Sequence, residues 1–181
     1  MALTKLATLA AAAFSLLLFL NPSTTAAAGG GANSLVTQTC KQTPNYDLCV
    51  STITADPRAA TAADVDTLAL VMLDAVRTKA TAAEGRIKQL MKAARSSAMR
   101  KHLGACAEIY DVIINDEIPE AVQAVRLGDP KFGEEAMNDS AAEPGSCDDE
   151  FGAGKASPLA EQNQAVRGAA AVTAAIIRLL L

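Results

Sequence analysis

The sequence has four cysteines, which can serve either in disulfides or in metal binding. They are Cys40, Cys49, Cys106 and Cys147. After export, an even number of cysteines predicts two disulfides, although four cysteines allow three different pairings. Metal binding is the competing use, and it is disfavoured because the sequence has no Cys-x-x-Cys and only one histidine, His102. We therefore expect disulfides, with neither a metal nor a cofactor.

The second chemically distinctive feature is the turn from Leu127 to Gly133, which reads LGDPKFG. It places the cation of Lys131 and the ring of Phe132 directly after Pro130, which stiffens the backbone. One interpretation is a helix cap with Phe132 packed into the core. The other is a rigid loop that projects Lys131 toward acidic groups of a partner, since a preorganised loop loses less entropy on binding. The residues alone slightly favour the helix cap.

Residue sets that could catalyse a reaction are missing from the sequence. His102 stands in a polar stretch, where a surface position is expected, and there is no Gly-x-Ser-x-Gly nucleophile elbow. Residues 152–156 lack the first glycine and the Ser or Thr of a phosphate-binding loop. The acidic runs 134–135 and 148–150 have no aromatic platform for a sugar, so a solvated helix face is expected. We therefore expect that the protein is not an enzyme.

The N-terminal residues 1–28 are expected to be a signal peptide. Lys5 gives a positive start, residues 6–20 are almost entirely apolar, and the alanines at 26–28 offer small residues for cleavage. An apolar run of about 15 residues is too short to span a bilayer comfortably. We expect secretion to the apoplast and cell wall, with the vacuole as the alternative and no membrane segment after cleavage. In a secreted chain Asn138 lies in a glycosylation sequon.

The overall charge argues against a nucleic-acid partner. The chain has 16 Lys and Arg residues against 20 Asp and Glu residues, a net charge of −4, and only 3% aromatic residues with no Trp. Nucleic-acid binding requires a basic face, and single strands also require rings on which bases stack.

Helical periodicity dominates the chain after the signal peptide. Residues 29–33 are interpreted as a flexible leader. Two short helices are expected at 35–42 and 44–54, with Thr43 as the N-cap and Pro44 as the first helical residue of the second. These helices form a predicted N-terminal hairpin over residues 34–58.

Four longer helical segments follow in residues 59–181. Apolar residues recur every three or four positions from 64 to 94 and again from 96 to 127, where Pro119 is expected to produce a kink. A third helix starts at Asp129-Pro130, and Pro144-Gly145 could interrupt it. The last starts at Ser157-Pro158 and carries Asn163 on its apolar seam, as a buried amide that needs partners. The pattern predicts an all-α fold, an antiparallel four-helix bundle extended by the hairpin, with residues 34–181 as one domain.

These motifs together resemble the plant invertase and pectin methylesterase inhibitor family. The resemblance covers essentially the whole chain after the signal peptide. It is carried by TCKQTPNYDLCV at 39–50, DPR at 56–58, CAEIYD at 106–111, CDDEF at 147–151, and SPL at 157–159 with Asn163. The family's fold is a helical hairpin on a four-helix bundle with sequential cysteine pairing. The resemblance therefore implies disulfides Cys40–Cys49 and Cys106–Cys147.

The resemblance also implies a function. Pro130, Lys131 and Phe132 are similar to the motif that invertase inhibitors insert into the sucrose-binding cleft, which implies that Lys131 faces the target's catalytic carboxylates. We expect a secreted inhibitor of plant acid invertase (β-fructofuranosidase, cell-wall or vacuolar) whose action changes with pH. The alternative target is pectin methylesterase, bound through the bundle face. A small secreted ligand-carrying bundle is a third hypothesis, which a cavity through the bundle would favour.

Overall fold

The computed structural model describes residues 28–152 and 156–181. The expected signal peptide, except for its last residue, lies outside the described residues. Within the described ranges the regular structure is entirely helical. None of the described helices is long and apolar enough to cross a membrane.

Seven α-helices are found in the described ranges. They are α1 (Ala28–Cys40), α2 (Tyr46–Thr54), α3 (Val65–Ala93), α4 (Ser97–Val112), α5 (Ile118–Leu127), α6 (Pro130–Asp149) and α7 (Ala160–Arg178). A 3-10 turn (Pro57–Thr61) leads into α3, and a π-turn (Ile113–Glu117) joins α4 to α5. Helix α4, the π-turn and α5 form one continuous rod. This rod packs with α3, α6 and α7, so the bundle has four long members. The predicted all-α bundle with a hairpin is confirmed.

The N-terminal hairpin differs from the prediction at both helix starts. Helix α1 begins at Ala28, so the expected flexible leader at 29–33 lies within a helix. Helix α2 begins at Tyr46 because Asn45 is its cap, with Oδ1 accepting a hydrogen bond from the Leu48 N–H at 3.0 Å. The predicted start at Thr43-Pro44 is therefore wrong by two residues.

The two disulfides join helices that are consecutive or facing. Cys40–Cys49 links the end of α1 to α2, and Cys106–Cys147 links α4 to α6. This is the sequential pairing that the resemblance implied. The boundary predicted after residue 58 falls inside the 3-10 turn, and α2 also packs against α3 and α7.

The π-turn shows how the second long helix accommodates Pro119. A proline inside an α-helix lacks the N–H that would bond to the carbonyl four residues earlier. Here the register widens just before it, and the Ile118 N–H donates to the carbonyl of Ile113, five residues back. Pro119 then occupies the first turn of α5, where its missing N–H costs least.

Helix α6 continues through Pro144, one of the two residues that could have interrupted it. A Cβ on the following Gly145 would lie 3.0 Å from the guanidinium of Arg167 on α7, the far end of a flexible side chain that could move aside. The same guanidinium lies 3.6 Å from Asp148 of α6. Arg167 therefore reaches from α7 to α6 at this level of the bundle.

The predicted buried amide, Asn163, is confirmed and connects three helices. Its side chain is fully buried. The Tyr110 hydroxyl of α4 donates to its Oδ1 at 2.7 Å, and its Nδ2 donates to Asp148 of α6 at 2.5 Å. Burial, and then the charge of Asp148, raises the pKa of Tyr110, so the hydroxyl remains a donor.

Helix α7 begins two residues later than predicted. Ser157 does accept a hydrogen bond, from the Leu159 N–H at 3.1 Å. However, this bond closes a turn over residues 157–159, and the helix starts at Ala160. The predicted N-cap at Ser157 is therefore wrong, since the bond serves a turn outside the helix.

Candidate functional site

The Pro-Lys-Phe sequence forms the first turn of helix α6. Gly128 ends α5 in a left-handed conformation with φ 72°, which glycine adopts without a steric penalty. Only Gly128 and Asp129 separate the two helices, so Pro130, Lys131 and Phe132 are the first three residues of α6. The projecting-loop interpretation is therefore wrong in its backbone, because the motif is helical.

The helix-cap interpretation is wrong about the side chains. Phe132 is 51% exposed instead of packed into the core, and the preceding Leu127 is 72% exposed. Both contribute to a shallow surface depression. Its lining residues are Glu120, Gln123, Ala124, Leu127, Asp129 and Phe132. The structure therefore shows a helical turn that exposes an aromatic face to solvent.

Lys131 lies beside this aromatic face as an exposed cation. Among the described residues no carboxylate lies within 4.0 Å of its ammonium, whereas the nearby Glu134 is held by Arg178 of α7 at 2.6 Å. The N-terminus of a helix carries a partial positive charge from its aligned peptide dipoles. Lys131 and the helix end thus both favour an anionic group.

The first turn of α6 is held firmly against its neighbours. A Cβ on Gly133 would lie 3.3 Å from the Ala124 side chain, 3.4 Å from the Ala121 carbonyl oxygen and 3.5 Å from Ile177. Glycine at this position therefore lets α6 approach α5 and α7 closely. Together with the Arg178–Glu134 pair, this contact fixes the position from which Lys131 projects.

A second polar group, missed by the sequence reasoning, lies inside the same helix pair. Ser140 of α6 donates a hydrogen bond to the buried carboxylate of Glu117 in the π-turn, and Glu143 lies beside them. Burial raises the pKa of both carboxyls, that of Glu143 to about 7, and for Glu143 the negative charges of Glu117 and Asp139 add to the effect. The sequence contained a signal for this group. Intervals of four, three and four residues separate Ala136, Ser140, Glu143 and Cys147, so all four are on one face of the helix.

The other predicted features lie apart from this surface. Asn138, the sequon residue, is exposed on α6, and its glycosylation stays a prediction. His102 lies at the other end of the bundle, with Nδ1 3.5 Å from Glu150 and its ring 5.7 Å from that of Phe151. Within residues 28–152 and 156–181, no three His, Cys, Asp or Glu side chains are grouped to hold a metal ion.

The fold defines a helical bundle that carries two disulfides. A family model described as plant invertase/pectin methylesterase inhibitor matches residues 34–176, so the chain belongs to this family. The family and the relatives found are proteinaceous inhibitors, and this protein is accordingly an inhibitor of an enzyme rather than an enzyme.

Individual relatives carry both inhibitor names. The chain is 35% identical over 143 residues to cell wall / vacuolar inhibitor of fructosidase 1 of Arabidopsis thaliana, covering 79% of this chain and 67% of the relative. It is 26% identical to pectinesterase inhibitor 2 of the same plant, covering 68% and 70%. A crystal structure of a mutant pectin methylesterase inhibitor from Arabidopsis matches with a TM-score of 0.69 at 15% identity, covering 81% and 97%. That likeness supports the fold.

Proposed function

We propose that this protein blocks plant acid invertase by placing the first turn of α6 in the sucrose-binding cleft. The observation that carries the proposal is an exposed Lys131, unpaired among the described residues, beside the half-exposed ring of Phe132. The 35% identity to an inhibitor of fructosidase supports the same target. The geometry that supports the proposal is a helical turn held in place by packing. One interpretation of the sequence had predicted a loop at this position.

The chemistry of the target explains why a lysine suits this position. Glycoside hydrolases act with two carboxylates, which lie about 5 Å apart in retaining enzymes. An ammonium group has three donors and can bond to both oxygens at once, and such charge-assisted bonds are strong in a cleft from which water is excluded. The positive end of α6 adds to the attraction. Phe132 covers apolar surface next to the pair and keeps water out.

The same chemistry implies that inhibition depends on pH. The pairing requires ionised carboxylates on the target and is lost when they are protonated. A binding curve that stays flat across mildly acidic pH would contradict this part of the proposal. The relatives' names refer to the cell wall and the vacuole, and we propose secretion to the cell wall, with the vacuole as the alternative.

Pectin methylesterase remains a second candidate target. Two relatives named as pectinesterase inhibitors, from Arabidopsis thaliana and Actinidia deliciosa, are 26% and 27% identical over 68% and 75% of this chain. In that case a bundle face would make the contacts, and the first turn of α6 would only start the helix. The ligand-carrier hypothesis gains no support, because the depression beside Phe132 lies on the surface and does not run through the bundle.

The experiment titrates a purified acid invertase and a purified pectin methylesterase with the oxidised protein at mildly acidic pH. Loss of sucrose hydrolysis alone is expected. Lys131→Ala should raise the half-inhibitory concentration about 10- to 100-fold, since a bond between charged groups is worth about 1.5–3 kcal/mol. Lys41→Ala, which removes an exposed lysine on the hairpin side, is the matched control and should change little.

Two outcomes would overturn the proposal. Inhibition of pectin methylesterase alone would assign the protein to the other branch of the family. Full inhibition of invertase by Lys131→Ala would show that the contact surface lies elsewhere on the bundle.

A further inference from the structure

A strongly basic segment surrounds the connection between α3 and α4. Between Glu84 and Glu108 the sequence contains no Asp or Glu, yet it holds six of the 16 Lys and Arg residues of the chain. They are Arg86, Lys88, Lys92, Arg95, Arg100 and Lys101. We call residues 86–101 the basic turn. A chain with a net charge of −4 thus concentrates six positive charges at one place.

The charges of the basic turn face solvent, and most of them have no ion-pair partner among the described residues. All six side chains are exposed. Within the described part of the chain, only Lys88 of the six forms an ion pair, with Glu84 at 2.6 Å. Arg100 donates to the main-chain carbonyl of Ala94 at 2.7 Å, which places its guanidinium over the connection without cancelling its charge.

Helix stability does not account for this arrangement. Lys88 and Lys92 lie one helical turn apart, where like charges repel. The C-terminus of α3 favours a cation such as Lys92. However, Arg100 and Lys101 lie in the first two turns of α4, at the positive end of its dipole, and that helix has no acidic residue in its first turn.

The basic turn lies at the opposite end of the bundle from Lys131. The Cys106–Cys147 disulfide joins the middle of α4 to the last turn of α6. His102, nearer the start of α4, lies 3.5 Å from Glu150 at the end of α6, so the start of α4 lies near the end of α6. Lys131 lies at the start of α6, which has 20 residues and is therefore about 30 Å long. A ligand on the basic turn would leave the proposed inhibitory surface free.

We propose that the basic turn binds a linear polyuronate, a polysaccharide with a free carboxylate on successive sugars. Residues 86–101 contain no aromatic ring, so they lack the stacking surface that single-stranded nucleic acid requires. Two disulfides are typical of an oxidising compartment outside the cytosol. Relatives are named for the cell wall and for pectinesterase, an enzyme whose hydrolysis of pectin methyl esters produces such carboxylates. This proposal is independent of the enzyme that the protein inhibits.

The test measures binding of the oxidised protein to polygalacturonate and to fully methyl-esterified pectin by titration calorimetry at low salt. Binding to polygalacturonate alone is expected, with an affinity that falls steeply as salt is added. The variant Lys92→Glu/Lys101→Glu should bind about tenfold or more weakly, because two attractive contacts become repulsive. Lys41→Glu/Lys79→Glu changes the net charge equally at sites outside the basic turn and should retain most of the binding.

Four results would overturn the assignment. The first is no binding to polygalacturonate at low salt, and the second is equal binding to the methyl-esterified polymer. The third is an equal loss in both double variants, which would show that only net charge matters. The fourth is stronger binding to phosphatidylserine vesicles at the same concentration of negative charge, which would assign the basic turn to a membrane surface.

The basic turn lies far from Lys131, so the variant Lys92→Glu/Lys101→Glu should still inhibit invertase fully.

Discussion

Replacing Glu143 by glutamine should remove a pH-dependent loss of stability from the bundle. One carboxylate oxygen of Glu143, Oε2, is buried without a hydrogen-bond partner. Burial, followed by the negative charges of Glu117 and Asp139, raises the pKa of Glu143 to about 7 from an ordinary value of 4.5. Since this pKa is higher in the folded than in the unfolded protein, folding favours the protonated acid. The stabilisation is complete below about pH 4.5 and is lost as the pH rises through about 7.

The size of the effect follows from the change in proton affinity. Each pH unit between the two pKa values is worth about 1.4 kcal/mol, so the full difference corresponds to about 3 kcal/mol. Part of the side chain remains in contact with solvent, which screens the charge. We therefore expect Glu143→Gln to stabilise the protein at pH 8 by about 1–2 kcal/mol, or about 3–6 °C in Tm. At pH 4.5 the variant and the natural protein should be equally stable.

The assay is urea denaturation and thermal melting of the oxidised protein at several values between pH 4.5 and 8. Glu135→Gln removes an exposed carboxylate from the same helix and is the matched control, expected to show no such gain at pH 8. The reasoning is refuted if Glu143→Gln and the natural protein lose stability in parallel as the pH rises. In that case the carboxyl pair would open to solvent before it ionised.

Three further substitutions test how the bundle is held together. Asn163→Ala should lower the free energy of unfolding in urea by about 2–4 kcal/mol, because it leaves a cavity and a buried Tyr110 hydroxyl without an acceptor; a loss under 1 kcal/mol would contradict the buried network. Removing the second disulfide with Cys106→Ala/Cys147→Ala should cost up to about 4 kcal/mol in the chain-entropy model, and an unchanged urea midpoint would show that this pair does not restrict the unfolded chain. Gly133→Val should lower stability by about 1–3 kcal/mol and weaken invertase inhibition, because its side chain would push α6 away from α5; an unchanged Tm would show that the start of α6 has room to move.

The helices that are long and strongly periodic were predicted well from the sequence. The apolar repeat placed a helix at 64–94, and the structure has Val65–Ala93. Asp64 caps it, with its carboxylate accepting a hydrogen bond from the Thr67 N–H at 2.9 Å. A repeat over many turns and a cap next to it are local signals, so they can be found without knowledge of the packing.

The starts of the shorter helices were harder to predict, because more than one nearby residue can make a cap-like hydrogen bond. Both Thr43 and Asn45 can cap a helix, but the Thr43 hydroxyl donates to the Cys40 carbonyl at the end of α1 at 2.8 Å, and Asn45 caps α2. Ser157 accepts a hydrogen bond from a main-chain N–H, as an N-cap does, yet the bond closes a turn two residues before the start of α7. Local hydrogen bonds of nearly equal energy leave such boundaries to tertiary contacts.

The sequence by itself determined the class of this protein. The helical periods predicted an all-α bundle, and the motifs around the four cysteines resembled those of the inhibitor family. Only the tertiary structure decided that Lys131 and Phe132 project from a helical turn. It also brought together Glu117 and Glu143, which are far apart in the sequence. Exposure of a ring and proximity of two carboxyls depend on how separate helices pack, and local periodicity does not specify which faces meet.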